Sequence, residues 1–136
     1  MTLNDIVTRV RSYTRDTTGT LFSSSDIKDF ANECIDRFKQ IKALEGMKYL
    51  TSDTDSPNLL PPQYHYAIAI YSANRCYTQD EQHYLAQSFI SEFEGLFSLI
   101  ELGIKEGTIK IVDDSGNAIV DDNNFDGVVN VYFSEV

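Results

Sequence analysis

The stretch from Thr78 to Ile104 constrains this chain more than any other, because its apolar residues recur at steps of three and four. Leu85, Ala86, Phe89, Ile90, Phe93, Leu96, Phe97, Ile100 and Ile104 fall on one side of a 3.6-residue helix. Glu92, Glu94 and Glu101 fall on the other. Thr78 and Glu81 stand at capping-box spacing, which predicts one long helix beginning there. Its three phenylalanines make it the expected central slab of the core. It is too long and too charged for a membrane span, and no heptad seam for a partner helix is evident.

The preceding chain carries three further helical patterns. Thr2 and Asp5 form a start signal ahead of the stripe Leu3, Ile6, Val7, Val10 and Tyr13. A polar loop, 16–20, follows, with Gly19 free to take positive φ. Leu21 and Phe22 precede Ser23-Ser24-Ser25-Asp26 as a hydrophobic staple would. A second helix is predicted from about Ser25 to Leu44 on the stripe Ile27, Phe30, Ala31, Cys34, Ile35, Phe38 and Ile41, with Gly46 as its terminator. Residues 47–60 read as an irregular connection with an extended piece at 48–51. Pro61-Pro62 suits the N1 start of a third helix, Gln63 to Tyr77, rich in alanine and tyrosine. Its small residues allow close approach to the long helix, predicting an αα-hairpin.

After Gly107 the period changes from 3.6 to 2. Residues 108–112 and 117–120 flank the hairpin loop Asp113-Asp114-Ser115-Gly116. An acidic loop, 121–127, leads to a further strand pattern at 128–133. Such strands are marginal alone and need an edge or a surface to complete them. The expected fold is mainly α: a four-helix bundle with a long C-terminal helix over 1–104, followed by an acidic β-hairpin and strand extension over 105–136.

Charge narrows the partners. Of the formal −10, residues 1–60 hold −1, residues 61–104 hold −4 and residues 105–136 hold −5. Gripping phosphate backbones takes clustered Lys and Arg, which this chain lacks. An acidic surface can instead line a passage that nucleic acid slides through, since like charges repel. Cys34 and Cys76 sit at helical spacing among apolar neighbours, where a thiol packs as a small hydrophobe. With no Cys-x-x-Cys pair, signal peptide or apolar run of membrane length, the expectation is a reduced, soluble protein made inside the cell.

Chemistry-bearing constellations are sparse. Gly-x-Ser-x-Gly, the P-loop and His-Glu-x-x-His are absent, so no enzyme is expected and no catalytic or cofactor-binding residue is assigned. His65 and His83 lack a second ligand nearby in sequence, and Ser24 and Ser25 suit caps better than nucleophiles. Asp122-x-Asn124-x-Asp126-Gly127 matches the first half of a calcium loop. Its twelfth position is Phe133, so the closing carboxylate is missing and an acidic turn without metal is the expectation. Tyr64, Tyr66, Tyr71 and Tyr77 lack the positive groove of a base-stacking platform and are assigned to core or subunit contacts.

The stretches Thr2-Leu3-Asn4-Asp5-Ile6-Val7-Thr8-Arg9-Val10-Arg11, Asp16-Thr17-Thr18-Gly19-Thr20-Leu21-Phe22-Ser23 and Ser25-Asp26-Ile27-x-x-Phe30-Ala31-Asn32-Glu33 together resemble the opening of tailed-bacteriophage head-to-tail connector (adaptor, or head completion) proteins. There an arginine-bearing helix leads into a D-x-x-G-x-x-(aromatic)-S loop and a helix beginning I-x-x-(aromatic)-x-N-E. Pro61-Pro62-x-Tyr64, the tyrosine-rich third helix and the long fourth also fit, so the resemblance covers about residues 1–104. Residues 105–136 match no fixed pattern of the family.

The resemblance implies a structural virion protein made in the host cytoplasm and placed in the neck, between capsid and tail. Copies form a ring, usually of twelve, beneath the portal protein; the ring prolongs the DNA channel and offers the docking surface to a tail, nozzle or stopper protein. DNA passes without specific binding, and no membrane is involved. Relatives with basic portal-facing surfaces differ from this chain, whose basic residues lie largely within 9–48. The strand patterns supply the candidate contacts to portal or neighbour: Ile109, Ile111, Val129, Val131 and Phe133. Removing 108–136 is expected to leave a folded body that cannot dock. Two other classes remain as alternatives: a small helical binding or regulatory module, and a weak calcium module using Asp122, Asn124 and Asp126.

Overall fold

A computed structural model describes residues 1–119, and within them four α-helices are followed by a short β-hairpin. The helices are α1 (Leu3–Thr14), α2 (Ser24–Lys39), α3 (Tyr66–Gln79) and α4 (His83–Glu106). The strands β1 (Ile111–Val112) and β2 (Ala118–Ile119) pair antiparallel, Ile111 opposite Ile119 and Val112 opposite Ala118. The mainly α class with a C-terminal hairpin is thus as the residue pattern predicts.

The centre is α3 rather than α4. Nine of the fourteen α3 residues are buried, against six of the twenty-four in α4. α3 packs against α1, α2 and α4, whereas α4 rests chiefly on α3. A helix whose small and apolar residues are spread over several sides can be enclosed by neighbours, and one with a single apolar stripe belongs at the edge. Ala67, Ala69, Ser72 and Ala73 let three helices approach α3, and Ile68 and Ile70 fill the gaps between them.

The boundaries follow the local chemistry. Thr2 caps α1 with the capping box intact: its hydroxyl accepts from the Asp5 N–H at 3.2 Å, and Asp5 accepts from the Thr2 N–H at 2.9 Å. Two α1 amides, those of Leu3 and Asn4, donate to the Asp55 and Asp53 carbonyls of the long connection. The cap of α2 is Ser23, whose hydroxyl accepts from the Asp26 N–H at 3.0 Å. Phe22 packs inward ahead of it, while Leu21 stays 64% exposed and takes no part in a staple.

Three boundaries differ from the sequence expectation. α2 ends at Lys39, not Leu44, because Ile41 turns extended and a 3₁₀ turn, Lys42–Leu44, follows. That break lets Ile41, Ala43, Leu44 and Met47 all reach the core. The extended piece at 48–51 forms no strand; Leu50 exchanges both backbone bonds with the side chain of Asn32 instead (2.8 and 2.9 Å). Pro62–Tyr64 is a 3₁₀ turn, and α3 starts after it at Tyr66.

The Thr78–Glu81 capping box does not form. Thr78 is still inside α3 and donates to the Asn74 carbonyl at 2.8 Å. Glu81 takes a left-handed φ of 59°, and α4 begins after Gln82 with no side-chain cap. The joint is instead tied by Asn74, whose amide nitrogen donates to the Ala86 carbonyl at 2.8 Å. α4 ends at left-handed Gly107, and Ile109 then folds back over Gly103, where the lack of a side chain leaves room for it.

Candidate interaction surface

The hairpin grows from this C-terminal fold-back. The Ile109 N–H and the Thr108 hydroxyl both donate to the Gly103 carbonyl (3.0 and 3.2 Å), which turns the chain back along α4. The Asp113 carboxylate accepts from the Ser115 and Asn117 amides, and Gly116, at φ 84°, closes the turn. Alternation then decides the faces: Ile111 points into the core at 2% exposure, and Val112 points out at 49%.

This placement divides the five candidate contacts. Ile111 belongs to the core of its own chain, and Ile109 is half-buried against it, so neither is presented outward. The correction follows from the two-residue side-chain period of a strand whose one face is claimed by the bundle. Val112, not singled out in the sequence, is the outward apolar residue of β1. Val129, Val131 and Phe133, with the Asp122–Asp126 half-loop, lie outside the described residues. Cutting the chain after Gly107 would remove Ile111 from the core, so the cut should cost the body stability.

Five of the eleven basic residues pair with described carboxylates of their own chain. Arg11 pairs with Asp16, Lys28 with Asp53, Arg37 with Glu94, Lys42 with Glu45 and Arg75 with Glu33. Arg37 also lies over the Phe93 and Phe97 rings, and Arg75 over Phe30. The Arg37–Glu94 and Arg75–Glu33 contacts join α2 to α4 and to α3.

The remaining reactive groups are embedded in packing. Burial drives the Cys34 thiol well up and Cys76 to about 12, so neither supplies a thiolate. Tyr71, half-buried and donating to Glu33, is also raised to about 12. No group of three or more His, Cys, Asp or Glu able to hold a metal ion occurs among the described residues, and no described helix is long and apolar enough to cross a membrane.

His65 joins the 3₁₀ turn to α3 and is 3% exposed. Its Nε2–H donates to the Leu60 carbonyl at 2.8 Å, leaving Nδ1 to accept from the Met1 amine at 3.3 Å. Burial lowers its pKa below 6.5, and the nearby ammonium lowers it further, against the Leu60 carbonyl. The unfolded chain therefore binds a proton more readily than the fold. Stability should be full above pH 6.5 and fall as pH drops below it towards the folded value. Urea midpoints measured from pH 8 to 5 should show this limb, and His65→Gln should remove it.

Comparison with protein-family models, curated proteins and solved structures returns no match.

Proposed function

We propose that this chain is a structural virion protein, the head-to-tail adaptor that assembles as a ring under the portal and carries the docking surface for the tail. The observation that carries the reading is a helical body ending in a two-stranded hairpin with an outward apolar residue, Val112. Two short strands are marginal by themselves and gain by adding to a neighbour's edge.

The motif behind the family resemblance has a physical role consistent with this reading. Asp16, Gly19 and Phe22 close a tight loop around Arg11, which also reaches Ser24 and so ties α1 to the start of α2, while Ser23 caps that helix. The negative surface suits a channel through which DNA must move without sticking. On this reading Val112 takes the outward role in place of Ile109 and Ile111, with Val129, Val131 and Phe133 as further contacts.

The test is the mass of the full chain alone and mixed with the portal protein of the same phage, by light scattering or native mass spectrometry. A ring that forms with portal, and is weakened by Val112→Glu while the thermal midpoint is unchanged, is the expected result. Persistent monomer with no portal binding would overturn the reading.

A further inference from the structure

Leu59 is held in a conformation that few leucines adopt. Its φ is 69°, and the Leu60 N–H donates to the Asn58 carbonyl at 2.7 Å, so the three residues form a γ-turn of the rare, strained kind. A bulky side chain at positive φ is an outlier that surrounding contacts must hold in place. Here they do so from both sides. The Asn58 side chain accepts from the Lys48 N–H at 2.7 Å and donates to the Gly46 carbonyl at 3.3 Å. The Leu60 carbonyl accepts from buried His65 at 2.8 Å, and the Leu59 side chain lies against Gly46.

These contacts draw the ends of residues 46–60 together, the layout of an Ω-loop. Its tip is a unit of its own, because the Asp55 carboxylate accepts from the Thr51 and Ser52 amides, both at 2.9 Å. The loop's polar anchors lie on two helices. On α1 the Leu3 and Asn4 amides donate to the Asp55 and Asp53 carbonyls at 2.7 and 3.0 Å. On α2 Asn32 exchanges two bonds with Leu50, Asp36 accepts from the Tyr49 hydroxyl at 2.6 Å, and Lys28 pairs with Asp53. Met47, Leu50 and Leu60 reach the core, but the loop is not packed flush: residues from 48 to 58 line a cavity of about 280 Å³.

We infer that residues 47–58 open and close as one body, a strap across the start of α1 and the middle of α2, with Gly46 and Leu59 as its hinges. The γ-turn is the spring. Opening lets Leu59 return to negative φ, so the strain is carried by the closed state alone. Gly46, facing it across the neck, turns without the restriction of a Cβ. Closed, the strap binds the first turn of α1 to α2, while Arg11 binds the far end of α1 to the Ser24 hydroxyl of α2. Open, it frees that first turn and leaves the Arg11 tie in place. The device goes beyond the adaptor reading and does not depend on it.

The test is hydrogen exchange on the full chain, read residue by residue. The Leu3, Asn4 and Leu50 amides, which bridge strap and helices, should exchange through one shared opening, faster than the buried amides of α3. Asn32→Ala should speed exchange at Leu3 and Asn4 by about tenfold, although Asn32 bonds to neither. Leu59→Ala and Leu59→Gly remove the same packing and differ in the strain of a Cβ at positive φ. Glycine should protect the three amides at least about fivefold better than alanine, the reverse of the usual order of these residues. Three unrelated rates, exchange no faster than in α3, no response on α1 to Asn32→Ala, or alanine protecting as well as glycine would each overturn the inference.

Discussion

Replacing Phe93 with alanine should lower the stability of the fold by about 3–5 kcal/mol, the range for removing a fully enclosed aromatic ring. Phe93 is wholly buried where α4 meets α2 and α3. Its ring meets Tyr71 edge-on at 5.1 Å and Phe38 edge-on at 6.0 Å, with Phe97 at 5.8 Å. The Arg37 guanidinium lies 5.4 Å from its centre on the solvent side. Alanine would leave a cavity lined by three aromatic rings too large to collapse into it, and would take away one of the two rings beneath Arg37. In a urea titration the midpoint should fall with the slope unchanged; Leu21→Ala, on an exposed side chain, should move stability by no more than about 0.5 kcal/mol. A Phe93→Ala chain as stable as wild type would show that α4 is not held by this cluster.

The largest effect outside the apolar core is expected at Asp16. Its carboxylate is 2% exposed and accepts from the Thr20, Leu21 and Phe22 amides at 3.0–3.2 Å and from Arg11 at 3.1 Å. Arg11 in turn donates to the Phe22 carbonyl at 2.9 Å and the Ser24 hydroxyl at 3.0 Å. Gly19, at φ 73°, brings the backbone against the guanidinium, where a side chain would crowd it at 3.3 Å. Asp16→Ala would orphan three amide donors and an enclosed cation together, so its loss of thermal midpoint should rival that of Phe93→Ala.

The pH dependence of this site has a definite sign. Burial raises the Asp16 pKa, but the Phe22, Leu21 and Thr20 amides and Arg11 outweigh it and hold the carboxyl below its ordinary 3.8. The stabilisation is complete above that value and is lost as pH falls through the lower, folded one. Wild type should therefore show an acid limb below about pH 4 that is shallower in Asp16→Asn. It is not abolished, because Asp5 and Asp55 are also lowered, chiefly by backbone donors at Thr2 and Ser52. Equal acid limbs in the two proteins would assign the effect elsewhere.

Much of this molecule is legible in its residues. The stripes of α1 and α2, the Thr2–Asp5 box, Gly19 and the Asp113–Gly116 turn are local matters, decided by contacts within a few residues. The misjudged features share a different cause. Thr78 and Glu81 carry cap chemistry, yet the register of α3 places Thr78 where its hydroxyl bonds to its own helix. The stripe of α2 runs on to Ile41, yet an extended Ile41 packs more apolar groups than a continued helix would. Leu50 finds its backbone partner in Asn32, eighteen residues away, which no local pattern reveals.

Sequence alone determined that the chain is helical with a hairpin behind it, since periodicity follows from backbone geometry and is the same wherever the element sits. Which helix stands at the centre was decided only in three dimensions. The eight phenylalanine, leucine and isoleucine positions of the stripe from Leu85 to Ile104 are heavier than anything in α3, but a stripe claims one neighbour and the several buried faces of α3 meet three. The same holds at the surface. Ile111 and Val112 are both strand formers, and only the bundle beneath them makes one core and the other contact.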